Sequence, residues 1–434
     1  MKRILLWLAG VALGVALLLA AATGASFAFT TQGHLPAAAA QFGGTELTPN
    51  GWRWRAPLIG GRMDRIFSAP PTLAVQKLGV LHDAHPALTL PDWVSESHLT
   101  IENDAGQQVF AGPAAQYDGF LYPANGGYKA QLTLWRLAPG QDKAQFDPEA
   151  QGSLRPNPGL ERPARPTGWY QYIFRFSVQA SPVLELSAER VDQGGVIGLQ
   201  LTGMAGDTTP TVETDLGRVD CVRCPGGWRG YIPAAYNAPT GAHTVRVTAG
   251  GEVMERTITV IPRDFGSAEV QPEPETPASA AEQFRSLVWP LYEQPARDKL
   301  WQGGFVCPAQ DYMVLVDFGQ VKLTNGTPGA KSNSTQLYTI PGEAARAPAA
   351  GVVVLAKELQ LTGNTVVIDH GCGLRSYLYG LAAIHVTQGQ TLEKGQAVGT
   401  LAEEMTLDIK LGNKSINPWP LLQTSGGLFW RQVS

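Results

Sequence analysis

The sequence predicts a mostly β chain: an N-terminal transmembrane helix, two β-sandwich-like modules and a further C-terminal β domain. Three observations predict it. Glycine and proline are abundant, at 49 and 32 of 434 residues, which favours many turns between short strands. Stretches such as Tyr170-Gln171-Tyr172-Ile173-Phe174-Arg175-Phe176 alternate in side-chain character, the period of a half-buried strand. One long apolar run stands at the N-terminus, where Lys2 and Arg3 precede Ile4–Ala22 and the next charge is Glu46. Apolar residues at 44% are enough for real cores. A net charge of −4 with no Lys/Arg block gives no support for nucleic-acid binding.

The elements follow in chain order. Residues 1–29 read as a membrane anchor or a signal segment. The run over residues 4–22 is just long enough to cross about 30 Å of hydrocarbon at about 1.5 Å per residue. The two positive charges should stay in the cytoplasm, so the bulk of the chain is expected to be extracellular. Ser26-Phe27-Ala28 leaves cleavage open as the alternative. Residues 45–182 read as a β-rich module, with a Pro-, Gly- and charge-rich loop at 138–168. Residues 183–263 read as a small Ig-like sandwich, with strands expected at Leu184–Ala188, Val196–Leu201, His243–Ala249 and Thr257–Ile261 and turn signals about every ten residues. Residues 264–285 read as a Pro/Glu-rich linker. A brief helix is expected over 281–301, with Phe284, Leu287, Val288, Leu291 and Leu300 as its apolar set and Pro290 and Pro295 breaking it. His82-Asp83-Ala84-His85 reads as a solvated loop.

Residues 286–434 carry the specific signal. In order come Val316-Asp317-Phe318-Gly319, then Ala347-Pro348-Ala349-Ala350-Gly351, then Gly363–Leu374 with its Asp369-His370-Gly371 turn. The last is Val386-Thr387-Gln388-Gly389-Gln390 with Gly395-Gln396-Ala397-Val398-Gly399, a repeated turn in which glycine supplies a positive φ. The closing Ile416-Asn417-Pro418 also fits. This ordered set resembles the lysostaphin/LytM-type peptidoglycan endopeptidases, the duplicated hybrid motif family, over roughly the last quarter of the chain. The resemblance implies a LytM-like β domain. In the family, zinc is held by the His and Asp of H-x-x-x-D and by the second His of H-x-H. The first His of H-x-H and the His of Y-x-H-L serve the water and the oxyanion. Such a donor set leaves an open position where zinc lowers a water's pKa to about 7.

Carried over position by position, H-x-x-x-D falls on Ser332 and Gln336, Y-x-H-L on Gly380, and H-x-H on Glu404 and Thr406. All five are changed, and the loop Thr400–Glu403 is shorter than the family's. His370 reads as part of a structural turn, His385 as a solvent-facing strand residue, and Glu403, Glu404 and Asp408 as acidic surface. The expectation is therefore a domain without catalytic residues, metal or cofactor: a pseudoenzyme in which Tyr338, Tyr377 and Tyr379 line a groove that binds peptidoglycan or a cell-envelope protein. Zinc enters only under the alternative, an active zinc-dependent endopeptidase with a displaced metal site. A second alternative is a surface adhesin in which the β modules do the binding. The turn repeat also resembles biotinyl or lipoyl carrier domains, but Thr406 follows Met405 where those need a lysine. An extracellular setting favours disulfides between Cys307 and Cys372 and between Cys221 and Cys224, with free thiols as the alternative.

Overall fold

The computed structural model describes residues 2–58, 64–72, 74–137, 140, 166–272 and 275–431. The loop expected at 138–168 lies outside the described residues except for residues 140 and 166–168. Helix α1, Lys2–Phe29, carries the apolar run. Its segment Trp7–Phe29 is apolar enough to cross a membrane, with a mean hydropathy of 2.1 and none of it buried, which suits a membrane anchor or a signal sequence.

The chain divides into two compact units, residues 1–181 with 205–207, and residues 182–204 with 208–434. The first is built on a seven-stranded sheet centred on Gly126–Leu137 and Pro166–Val178. The alternation read from the sequence decides its faces. Tyr170, Tyr172, Phe174, Phe176 and Val178 are buried, and Arg175 between them is exposed. The small sheet that includes Gln41–Phe42 lays Phe42 on Phe174 and Phe176, at 5.0 and 4.7 Å between ring centres. In the 82–85 loop, His85 is half-buried, stacked on Tyr117, with Nδ1 2.9 Å from the Phe120 carbonyl.

The second unit begins with a sandwich of two four-stranded sheets. Val183–Leu186, Val196–Thr202, Gly227–Pro233 and Val222–Cys224 form one sheet. Arg190–Asp192, Glu252–Ile261, Gly241–Ala249 and Thr211–Glu213 form the other. Leu199, Leu201, Val245, Val247, Ile258 and Val260 fill the space between them.

The stretch read as an extended linker is largely structured. Ser267–Glu269 pairs in parallel with Val321–Leu323. Helix α2 runs from Ala278 to Tyr292 and contains Pro290. Proline is tolerated there because it stands in the last turn, where it removes one hydrogen bond near an end that frays anyway. The expected continuation to residue 301 does not form.

The C-terminal domain is an eight-stranded sheet. Its order is Tyr312–Val316, Thr335–Thr339, Glu404–Leu411, Leu374–Leu381, Gly363–Gly371, Gly351–Leu359 and Thr391–Leu392, with Lys414–Ile416 hairpinned on Glu404–Leu411. The two Gly-Gln turns form as read. Gly389 and Gly395 have φ of +88° and +79°. The Gln390 and Gln396 side-chain oxygens accept the Thr387 and Glu393 N–H groups at 3.2 and 3.0 Å. The core of this domain takes in Val222 and Tyr231 of the sandwich, so the two modules read as separate form one body.

Candidate functional site

The central strand Glu404–Leu411 divides the domain by its period of two. Met405, Leu407, Ile409 and Leu411 point into the main core, so Glu404, Thr406, Asp408 and Lys410 take the opposite face. Register brings neighbours to the same place. Gln336 and Tyr379 both pair with Thr406, Tyr338 pairs with Glu404, and Tyr377 pairs with Asp408. The result is a cleft of about 570 Å³. Gln336, Gly380, Glu404, Thr406, Asp408 and Lys410 line it from the sheet, and Phe284, Trp289 and Tyr292 from α2.

Four of the five family positions therefore meet in one cleft. The fifth, Ser332, is buried, and its hydroxyl donates to the Ser334 carbonyl at 2.7 Å. Gly380 has φ +75°, and a Cβ there would lie 3.3 Å from the Glu404 carbonyl oxygen. A histidine at this position would meet both a left-handed backbone and a crowded neighbour.

The two carboxylates of the face have different surroundings. Glu404 is exposed. Asp408, read from the sequence as acidic surface, is instead buried, with Oδ2 2.9 Å from Lys410 Nζ. The same ammonium donates to Ser415 Oγ at 2.7 Å. A lysine seated on the face neutralises the carboxylate that a cation would need. An amide, a hydroxyl, a glycine, one exposed carboxylate and one lysine-paired carboxylate do not fit a zinc centre. Among the described residues no three His, Cys, Asp or Glu side chains group as a metal site.

The imidazoles lie elsewhere. His385 is exposed. His370 is fully buried, with Nδ1 2.8 Å from the Ala350 carbonyl and Nε2 2.7 Å from Ser376 Oγ. A carbonyl only accepts, so Nδ1 carries the proton and Nε2 accepts the serine hydroxyl. Burial holds its pKa down at about 4, and the ring stays neutral.

Of the three tyrosines expected to line the groove, Tyr379 does. Tyr377 is fully buried and packs in a cluster with Val288 and Leu291 of α2. Tyr338 is exposed and outside the cleft. Burial raises the Tyr377 and Tyr379 phenols well above their ordinary range, and the Asp408 charge adds to this, so both stay protonated at neutral pH. The sequence analysis missed the part played by α2. Its apolar set was visible, but nothing local said which surface it covers.

The four cysteines are free thiols, so neither expected disulfide is present. The Cys307 thiol interacts with the Tyr312 hydroxyl and the Ala309 backbone. Cys372 lines a different cavity together with Cys224. Burial pushes the Cys221 and Cys372 thiols up to about 12, so neither is a thiolate nucleophile at neutral pH.

Residues 330–412 match the family model for peptidase family M23. Among solved structures, the chain is similar to an M23 peptidase from Pseudomonas aeruginosa at 19% identity, over 54% of this chain and 94% of that one, with a TM-score of 0.41. It is similar to the catalytic domain of lysostaphin from Staphylococcus simulans at 19% identity, over 26% and 92%, with a TM-score of 0.23. It is also similar to the SpoIIQ–SpoIIIAH pore-forming complex at 18% identity, over 30% and 99%, with a TM-score of 0.26. No curated protein matches the chain.

Proposed function

We propose that this chain, which carries a peptidase family M23 domain at residues 330–412, is a membrane-anchored, extracellular cell-envelope protein whose M23 groove binds peptidoglycan or a protein partner without hydrolysing it. The observation that carries this reading is the content of the cleft. Where the family pattern needs imidazoles and a free carboxylate, this chain has Gln336, Gly380, Glu404 and Thr406, with the ammonium of Lys410 on Asp408. Such a surface can still recognise a peptide, because binding needs shape and a few well-placed polar groups rather than a metal. Glu404 and Gln336 supply an acceptor and an amide, and Tyr379 and Trp289 supply apolar faces. Helix α1 would supply the anchor.

The test uses the purified full chain with sacculi. The expected result is retention on sacculi, or capture of an envelope protein, with no release of soluble fragments in zinc-supplemented buffer, and weaker retention for Glu404→Ala. Stoichiometric zinc together with fragment release would overturn the reading in favour of an active endopeptidase with a displaced metal site.

A further inference from the structure

A second cavity, of about 1310 Å³, lies between the sandwich and the C-terminal sheet inside the same compact unit. Separate segments send cations to it. Arg223 and Arg229 come from the hairpin Val222–Pro233, Lys299 from the connection after α2 and Lys394 from the turn before Gly395, while Arg431, the last described residue, lines it but is paired with Glu185. Among the described residues Asp298 is the one carboxylate in its lining.

Arg229 is the informative group. Its side chain belongs to a residue only 8% exposed. Nη2 donates to Gln200 Oε1 at 3.3 Å and to the Arg431 carbonyl at 3.0 Å, both neutral acceptors. Its buried Nε has no hydrogen-bond partner, and among the described residues no carboxylate pairs with it. Trp301, 1% exposed and also in the lining, presents a second buried N–H without a partner. A guanidinium taken out of water without a counter-ion is costly. Here the cost is compounded by Lys299, whose ammonium lies over the Trp301 ring at 5.0 Å and whose pKa is lowered by burial and by Arg229. Two cations, Arg229 and Lys299, thus share the lining of one cavity, and the Arg229 Nε and the Trp301 N–H there are left open.

We propose that this cavity is a binding site for an oxyanion ligand, a phosphate ester or a carboxylate carrying at least two negative charges. A guanidinium fork beside an indole N–H matches such a group, and the volume exceeds what one inorganic anion fills. The site stands apart from the Gln336–Thr406 cleft and does not depend on the function assigned to it.

The test is calorimetric titration of the full chain with pyrophosphate and, separately, citrate, each at matched ionic strength. The expected result is saturable binding of at least one, weakened about tenfold or more in Lys299→Gln, a loss of one charge-assisted contact. Preference for pyrophosphate assigns a phosphate ligand, and preference for citrate a carboxylate. Bound ligand should also slow iodoacetamide labelling of Cys224, which lines the cavity, and leave that of Cys307, which does not, unchanged. Arg229→Met removes the buried charge and, without ligand, should be as stable as the parent chain or more so, while losing binding. Absence of saturable binding by either probe overturns the proposal, and so does binding that both substitutions leave unchanged.

Discussion

At the scale of single residues, the charged and titratable groups beneath the C-terminal sheet fix how the domain responds to pH and to substitution. His370 binds its proton at about 4 in the folded chain and near 6.5 when unfolded. Between these values the unfolded chain holds more protons than the folded one, so stability rises with pH through that window and is lost as pH falls from about 6.5 towards 4. The loss should be on the order of 3 kcal/mol. Urea unfolding at several pH values should give this slope, and His370→Gln should flatten it. Arg375 and Asp369 form a second pair, 3.1 Å apart and both 1% exposed. Arg375→Leu leaves a buried carboxylate with only the Gly371 N–H and the largely exposed Arg297, 3.8 Å away, as partners, which should cost about 3 kcal/mol, read as a fall in Tm. The sequence read His370 as structural from an Asp-His-Gly turn, but the residue lies in strand Gly363–Gly371, with the turn following it, and its ring is buried. Period two places Lys410 beside Asp408 on one face, but the sequence could not show that this face is covered, because the covering comes from the paired strands and from α2.

The element that matters most is α2. Its Phe284, Leu287, Val288, Leu291 and Tyr292 pack on Val354, Leu355, Leu359, Val367, Tyr377 and Tyr379, closing the face of the sheet that carries the cleft. The apolar spacing was legible as amphipathic periodicity. The docking surface was not, because it is assembled from three successive strands, Gly351–Leu359, Gly363–Gly371 and Leu374–Leu381, that lie far along the chain from the helix. The strands were read more easily than the helix. Alternation in Tyr170–Val178 and the Gly-Gln turns report burial and backbone geometry directly, whereas the parallel pairing of Ser267–Glu269 has no local signature. Leu291→Ala should cost about 2–4 kcal/mol as a buried large-to-small change. It should also loosen the helix before the sheet, seen as faster amide exchange in 278–292 with strand Glu404–Leu411 still protected.

For the molecule as a whole, the shared core is the property that sequence reading by modules could not reach. A composition break at residue 264 marks a boundary in the chain, but contacts form across it. Tyr231 lies 6.0 Å from Trp301 between ring centres and its hydroxyl donates to the Leu428 carbonyl. The Asn417 N–H donates to the Gly194 carbonyl at 2.8 Å. Trp301 itself is buried, held between the sandwich hairpin and Phe305. A fragment of residues 286–434 would expose these faces and lose the closing contacts, so it should unfold without a sharp transition. Residues 182–434 should melt as one cooperative step. Tyr231→Ala tests the coupling: it should lower that step by about 3–5 kcal/mol, as expected for loss of a buried aromatic, without dividing it. Two resolved transitions in calorimetry, one of them unmoved by the substitution, would show that the modules fold independently. The cationic cavity between them would then have no fixed shape with which to hold a ligand.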